Sequence, residues 1–64
     1  MTHRRDKLLR MHEVLSRTGI SRASIYRKLH AGNFPQPVRL GDRAIAWRES
    51  ELMAWIEALP SAVK

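Results

Sequence analysis

The segment 21–31 carries the side chains most suited to binding chemistry, and its spacing is helical. With Ile25 set at 0° and about 100° per residue, Leu29 lies beside Ile25 on the apolar side, while Ala23 and Arg27 lie opposite. Arginine can donate two hydrogen bonds to the O6 and N7 atoms of guanine, and a small alanine allows close approach to base edges. The alternative is a surface helix whose cations are merely solvated. The segment favours DNA contact by Ser21, Arg22, Ala23, Ser24, Tyr26, Arg27 and Lys28.

A second basic group follows in the segment 38–47. Residues 38–40 alternate apolar, polar and apolar, residues 41–43 are typical of a turn, and residues 44–47 form a second apolar-rich stretch. This pattern predicts a β-hairpin. Arg43 at its tip and Arg39 on the polar side of its first strand can contact phosphates or a narrow minor groove. The alternative is a solvated turn that only braces the following helix.

The overall charge favours a polyanionic partner. The 64 residues include 12 Lys and Arg against 6 Asp and Glu, which gives a net charge of +6. A basic excess of this kind is typical of nucleic-acid binding, although an inert basic surface would have the same composition. Arg4, Arg5 and Lys7 form a basic N-terminal arm that either adds phosphate contacts or is disordered without function. The segment 49–59 carries glutamates and no cation, so we expect it to face away from the polyanion.

Residue types exclude several other functions. Cysteine is absent, which excludes disulfides, thiolate catalysis and Cys-ligated zinc. His3, His12 and His30 lack metal-ligand spacing, and the sequence has no nucleophile elbow or phosphate loop. We therefore expect no metal, no cofactor and no enzymatic activity. The longest apolar run, residues 52–56, is far shorter than the roughly 20 residues of a membrane span, and no secretory signal is present, so we expect a cytoplasmic location.

Helical spacing and end signals predict the elements that position these residues. Apolar positions at 11, 14, 15 and 18, closed by Gly19, predict a helix over 11–18. Ser21 is a favourable N-cap for a helix over 22–31, which Gly32 can end. The apolar stripe before Pro60 predicts a third helix over 49–59. Leu8 and Leu9 fit a short strand or an anchor.

These elements predict a mainly α fold with a small β-hairpin, a winged helix-turn-helix with three helices. We divide the chain into a flexible basic arm (1–7), the DNA-binding domain (8–59) and a tail (60–64). The two tryptophans could form a base-stacking platform, but both fall in apolar patterns, so we place them in the core. The predicted core is Leu9, Met11, Val14, Leu15, Ile20, Ile25, Leu29, Phe34, Val38, Leu40, Ile45, Trp47, Leu52, Trp55 and Ile56.

Four segments carry a family resemblance: residues 9–14 (LRMHEV), 18–26 (TGISRASIY), 32–41 (GNFPQPVRLG) and 44–56 (AIAWRESELMAWI). Together they closely resemble the AlpA family of prophage regulators, over about residues 8–59. That family looks like small winged-helix proteins related to the DNA-binding domain of MerR regulators and to phage excisionases. By position, the resemblance implies DNA contacts from Ser21, Arg22, Ser24, Tyr26, Arg27 and Arg43.

The resemblance and the basic surface together favour a sequence-specific regulator that binds double-stranded DNA, with the helix 22–31 in the major groove and the hairpin 38–47 as wing. One alternative is an excisionase-like directionality factor that binds and bends attachment-site DNA. Another is a protein-interaction module whose basic surface meets an acidic protein. Integrase, RNA polymerase and a second copy of the chain, in a homodimer or a cooperative assembly on DNA, are candidate partners. A bacterial location at the nucleoid when bound to DNA follows from the resemblance.

Overall fold

The computed structural model describes residues 6–62. Its elements, in chain order, are β1 (Leu8–Leu9), α1 (Met11–Thr18), α2 (Arg22–Ala31), β2 (Val38–Arg39), β3 (Ile45–Arg48) and α3 (Glu49–Glu57). Three helices with a small antiparallel sheet confirm the predicted fold class, mainly α with a hairpin, as in a winged helix-turn-helix. The first two helices have the predicted bounds, and Leu8 and Leu9 form a strand.

Local hydrogen bonds explain the tight turn between α1 and α2. Gly19 has a φ of 73° and donates its N–H to the carbonyl of Leu15 at 2.8 Å, a left-handed C-cap that glycine adopts without steric cost. The Thr18 hydroxyl donates to the Val14 carbonyl at 2.8 Å and accepts the Ile20 N–H at 3.1 Å. The turn is therefore fixed by the residues of its own segment.

The sheet joins the N-terminal segment to the hairpin. Its strand order is β1-β3-β2, and both pairs are antiparallel. Leu9 lies opposite Trp47, and Val38 lies opposite Ala46. Because α1 begins directly after β1, this pairing places the start of α1 beside the hairpin.

The core is organised around Phe34, which the connector between α2 and β2 supplies. Its ring packs edge-on against Trp47 (centroids 6.1 Å apart) and Trp55 (4.7 Å). The Trp47 indole N–H donates to the carbonyl of Pro35 at 2.8 Å, and the Trp55 indole donates to that of Asn33 at 3.2 Å. Both tryptophans are thus packed in the core as predicted, Trp47 fully and Trp55 in part. The fully or nearly buried residues are Leu9, Val14, Ile25, Phe34, Ala46, Trp47 and Leu52.

Two details of the prediction were wrong. Leu40 was assigned to the core, but its side chain is 46% exposed, because β2 ends at Arg39 and the apolar alternation does not continue past the strand. The hairpin instead buries Ala46, which faces Val38 across the sheet, together with the predicted Trp47. The third helix, predicted over about 49–59, ends at Glu57, and Pro60 disfavours helical backbone at Leu59, the residue before it.

The start of α3 is capped from the N-terminal segment. The Asp6 carboxylate accepts the Ser50 N–H at 2.9 Å and the Ser50 hydroxyl at 2.6 Å, and the Lys7 carbonyl accepts the Glu49 N–H at 2.8 Å. The last two residues of the predicted arm are therefore bonded to α3, while Arg4 and Arg5 lie outside the described residues. The division into arm, domain and tail stays a prediction. Within residues 6–62 no helix has the length and apolar character to cross a membrane.

Candidate nucleic-acid interface

Helix α2 buries one side and exposes the other. Ile25 is fully buried and Leu29 is half-buried, whereas Arg22, Ala23 and Arg27 are exposed. Tyr26 is 43% exposed, a high value for a large aromatic side chain. The predicted candidates are therefore accessible along most of the helix, and only Ser24 and Lys28 are half-buried among them.

A chain of hydroxyl groups holds Arg27 against α2. The Ser21 hydroxyl caps the helix by accepting the Ser24 N–H at 3.2 Å, and it lies 3.0 Å from the Ser24 hydroxyl. The Arg27 Nη2 atom donates to the Ser24 Oγ at 3.0 Å. This contact restricts the guanidinium of Arg27 and uses only one of its five N–H donors. The remaining donors stay available to a partner.

A cleft of about 410 Å³ separates α2 from the wing. Arg22 and Tyr26 line it from α2, and Arg43 lines it from the turn of the hairpin. Arg10 and His12, at the start of α1, also line it. We call this the wing-side cleft; its remaining lining residues are Met11 and Ile45. The structure thus brings together two predicted parts of the site and adds a third element, α1.

The other flank of α2 forms a separate hollow of about 500 Å³, lined by Ser24, Arg27 and Lys28 among others. The predicted site residues are therefore divided between two sides of the helix, with the exposed Ala23 on the helical face opposite the core. Arg39 lines neither space. Its Nη1 atom donates to the Asp42 carbonyl at 3.1 Å, which braces the turn that carries Arg43.

The cations of the described residues fall into two groups. Arg17 is 2.8 Å from Glu49, Arg48 is 3.7 Å from Glu51, and Lys7 is 4.0 Å from Glu13. The other Lys and Arg residues within 6–62 have no acidic side chain at ion-pair distance. We call them the unpaired cationic surface: Arg10, Arg22, Arg27, Lys28, Arg39 and Arg43.

Glu13 contacts the backbone of Arg10 but forms no ion pair with its side chain. Its Oε1 atom accepts the backbone N–H of Arg10 at 2.9 Å, and its Oε2 atom faces Lys7. The bond from the Arg10 N–H holds the pKa of Glu13 below its ordinary value, and nearby Lys7, His12 and Arg17 act in the same direction. The carboxylate therefore stays charged while it caps α1 through the backbone.

Sequence reasoning did not assign Arg10 or His12 to the site. Arg10 entered only through the family motif 9–14, and His12 was considered only as a metal ligand. Their position in the wing-side cleft depends on the pairing of β1 with β3, which is long-range in sequence. Among residues 6–62, no three His, Asp or Glu side chains are grouped so that they could hold a metal ion.

Comparison with known proteins gives consistent results. The family model of the prophage CP4-57 regulatory protein (AlpA) matches residues 7–59. An uncharacterized protein, ORF88, of Enterobacteria phage P4 is 41% identical over 51 residues, which covers 80% of this chain and 58% of the phage protein. The DNA-binding transcriptional activator AlpA of Escherichia coli (strain K12) is 32% identical over 56 residues, covering 78% of this chain and 80% of that protein.

Proposed function

The chain belongs to the family of the prophage CP4-57 regulatory protein AlpA, and from this premise we propose that it is a transcriptional regulator that binds specific sequences of double-stranded DNA. In this proposal α2 enters the major groove and the hairpin 38–47 is the wing. The relative in E. coli is a DNA-binding transcriptional activator. Whether this chain activates or represses is a separate matter from how it binds.

The observation that carries the proposal is the unpaired cationic surface. Water alone can satisfy exposed cations, so it is the distribution of these cations over the fold that favours a polyanionic partner. Here the acids of α3 pair with Arg17 and Arg48, while α2, the wing and the start of α1 keep cations without acidic partners within residues 6–62. Such cations bind duplex DNA by replacing its condensed counterions.

The geometry of α2 supports separate roles for its residues. Ala23 and Arg27 lie on the exposed side opposite the core, where a recognition helix contacts base edges. Because Ser24 already restricts Arg27, less conformational entropy is lost when its guanidinium binds a guanine. Lys28 and Arg22 lie on the two flanks, where contacts with phosphates fix the position of the helix in the groove.

The experiment that tests the proposal is selection of bound duplexes from a random pool. We expect enrichment of a defined sequence. A single site near a promoter supports the regulator, whereas tandem direct repeats would favour the excisionase-like alternative. Enrichment of no sequence would contradict sequence-specific binding and favour the protein-interaction module. Contact with integrase or RNA polymerase, and homodimer formation or cooperative assembly on DNA, remain proposals that the spacing of selected sites would sharpen.

A further inference from the structure

Two side chains that line the wing-side cleft, Arg10 and His12, belong neither to α2 nor to the wing and so have no role in the proposed function. Arg10 is the N-cap residue of α1, yet its side chain makes no capping hydrogen bond, and it is exposed. His12, two residues further on, is also exposed. Both line the same cleft as Arg22 and Arg43, so four nitrogen-bearing side chains from three parts of the fold surround one space.

The chemistry of this space fits an anion with several acceptor oxygens. Three guanidinium groups that share a cleft repel each other, and no acidic side chain is among the residues that line it; Glu13 accepts the backbone N–H of Arg10. Guanidinium forks match the geometry of phosphate oxygens. The imidazole of His12 and the hydroxyl of Tyr26 supply two further donors. A bound phosphate group would therefore relieve the repulsion and use the donors together.

The position of the cleft indicates where that phosphate comes from. Arg22 and Tyr26 project from the first half of α2, and Arg43 projects from the hairpin turn. When α2 lies in the major groove and the hairpin lies against the duplex, the backbone at the edge of that groove must pass between them. The cleft occupies this interval, which favours a phosphate of the DNA backbone over a free anion.

We propose that the wing-side cleft binds a phosphodiester group of the DNA backbone, and that Arg10 and His12 are DNA-binding residues. The proposal rests on the proposed function, because it needs α2 in the groove. The pairing of β1 with β3 fixes the start of α1 relative to the wing. A phosphate held there would set the register of α2 on the duplex without reading sequence, since backbone contacts position a protein and base contacts specify it.

The test measures the affinity of Arg10→Gln and His12→Gln for the selected duplex and for a scrambled duplex, by fluorescence anisotropy across a salt series. For Arg10→Gln we expect both affinities to fall by the same factor, roughly tenfold at low salt. The log–log salt slope should become shallower by about 0.9, the value for one phosphate contact. His12→Gln should also weaken both duplexes equally, and the selected sequence should be unchanged for both variants.

Arg48→Gln is the matched control, because it removes the same charge from a residue paired with Glu51. It should change neither affinity nor slope appreciably. An Arg10→Gln variant that is folded and behaves like Arg48→Gln would overturn the proposal. If the wild-type protein prefers the selected duplex and Arg10→Gln changes neither the affinities nor the salt slope, only this inference fails. If wild type binds both duplexes equally, the proposed function fails, and the salt slope still reports on the cleft.

A second measurement distinguishes backbone phosphate from free anion. Neutral methylphosphonates replace the phosphates of the selected duplex one at a time. We expect one position at which neutralisation weakens wild type but weakens Arg10→Gln no further, which identifies the phosphate that Arg10 contacts. Additive losses at every position would contradict the proposal. Saturable binding of inorganic phosphate without any such position would reassign the cleft to a free anion and overturn it.

Discussion

The two ends of α1 show how differently this small domain uses its cations. Arg17, in the last turn, is bound to Glu49 at the start of α3 at 2.8 Å. Arg10, at the first turn, has no acidic partner within residues 6–62 and lines the wing-side cleft. The first cation links two helices of the fold, and the second remains available to a partner. Pairing, rather than net charge, therefore separates the residues that hold the fold from those we assign to DNA.

The placement of the acids makes this separation possible. Glu49 and Glu51 lie in the first turn of α3, where the helix dipole favours negative charge. There they also neutralise Arg17 and Arg48, and Asp6 adds a cap at the same helix end. The acids of α3 thus stabilise its first turn, and within residues 6–62 no acid forms an ion pair with the unpaired cationic surface. The following predictions test this division, from the largest expected effect to the smallest.

Removal of the Phe34 ring should destabilise the whole fold, including both the ion-paired region around α3 and the unpaired cationic surface. Phe34→Ala deletes the ring that packs against both tryptophans, so we expect a loss of about 3–5 kcal/mol in the free energy of unfolding, measured by urea denaturation. Leu40→Ala is the apolar control on the exposed hairpin, and it should change stability by less than about 0.5 kcal/mol. An equal loss for both variants would mean that Leu40 is buried after all.

Arg27→Ala should affect DNA binding and leave the fold intact. We expect specific binding to weaken by about 1–3 kcal/mol, with a relaxed preference at one or two base positions, because a base contact is lost. Anisotropy and repeated selection measure the two effects. Arg48→Ala removes the same charge from an ion-paired arginine and should alter neither. An unchanged base preference for Arg27→Ala would refute its assigned role.

Asp6→Ala should have the opposite signature, with lower stability and retained DNA affinity. The carboxylate caps α3 through Ser50, and loss of a cap of this kind costs about 0.5–2 kcal/mol. The midpoint of urea denaturation measures it. Glu57→Ala removes the same charge from the last turn of α3, where no cap is involved, and should not destabilise. Equal effects of the two changes would point to net charge instead of capping.

Glu49→Gln should produce a smaller effect of the same kind. It breaks the ion pair with Arg17, whose two side chains are each 35% exposed, and pairs of this exposure contribute about 0.2–1 kcal/mol. We expect the free energy of unfolding to fall by this amount at low salt. The decrease should be smaller at high salt, because salt screens the ion pair. DNA affinity should not fall. A clear loss of affinity would mean that the paired region also contributes to the DNA interface.

The pH dependence of stability should report on Glu13. Because the bond from the Arg10 N–H lowers the pKa of Glu13 in the folded protein, its contribution is present above the ordinary glutamate pKa of about 4.3. That contribution is lost as the pH falls through the lowered folded value. In urea denaturation between pH 7 and pH 3, the free energy of unfolding should therefore fall more steeply with decreasing pH in the wild type than in Glu13→Gln. Parallel curves would contradict the assignment.

The sequence predicted those parts of the fold that short-range signals determine. The bounds of α1 and α2 were predicted correctly because Gly19 and Gly32 end them in the left-handed conformation and Ser21 begins the second. Leu40 was misplaced because alternation in a short segment does not show where a strand stops. Ala46 was missed because its burial results from pairing with Val38.

For the candidate site, helical spacing predicted which residues of α2 are exposed, and turn chemistry predicted the wing that carries Arg43. Helical spacing could not predict that Arg22 shares a cleft with Arg43 while Arg27 lines a separate hollow, since the cleft depends on how the hairpin packs. The position of Arg10 and His12 in the wing-side cleft could not be predicted for the same reason. Contacts between α1 and the wing exist only after β1 has paired with β3.

The most direct test of the central claim compares the affinity of the protein for the selected duplex and for a scrambled duplex at one physiological salt concentration. If the unpaired cationic surface presents α2 to the bases, the selected duplex should bind about 10³-fold or more tightly than the scrambled one. Equal, weak binding of both would contradict the account. It would mean that the surface attracts polyanions without reading sequence.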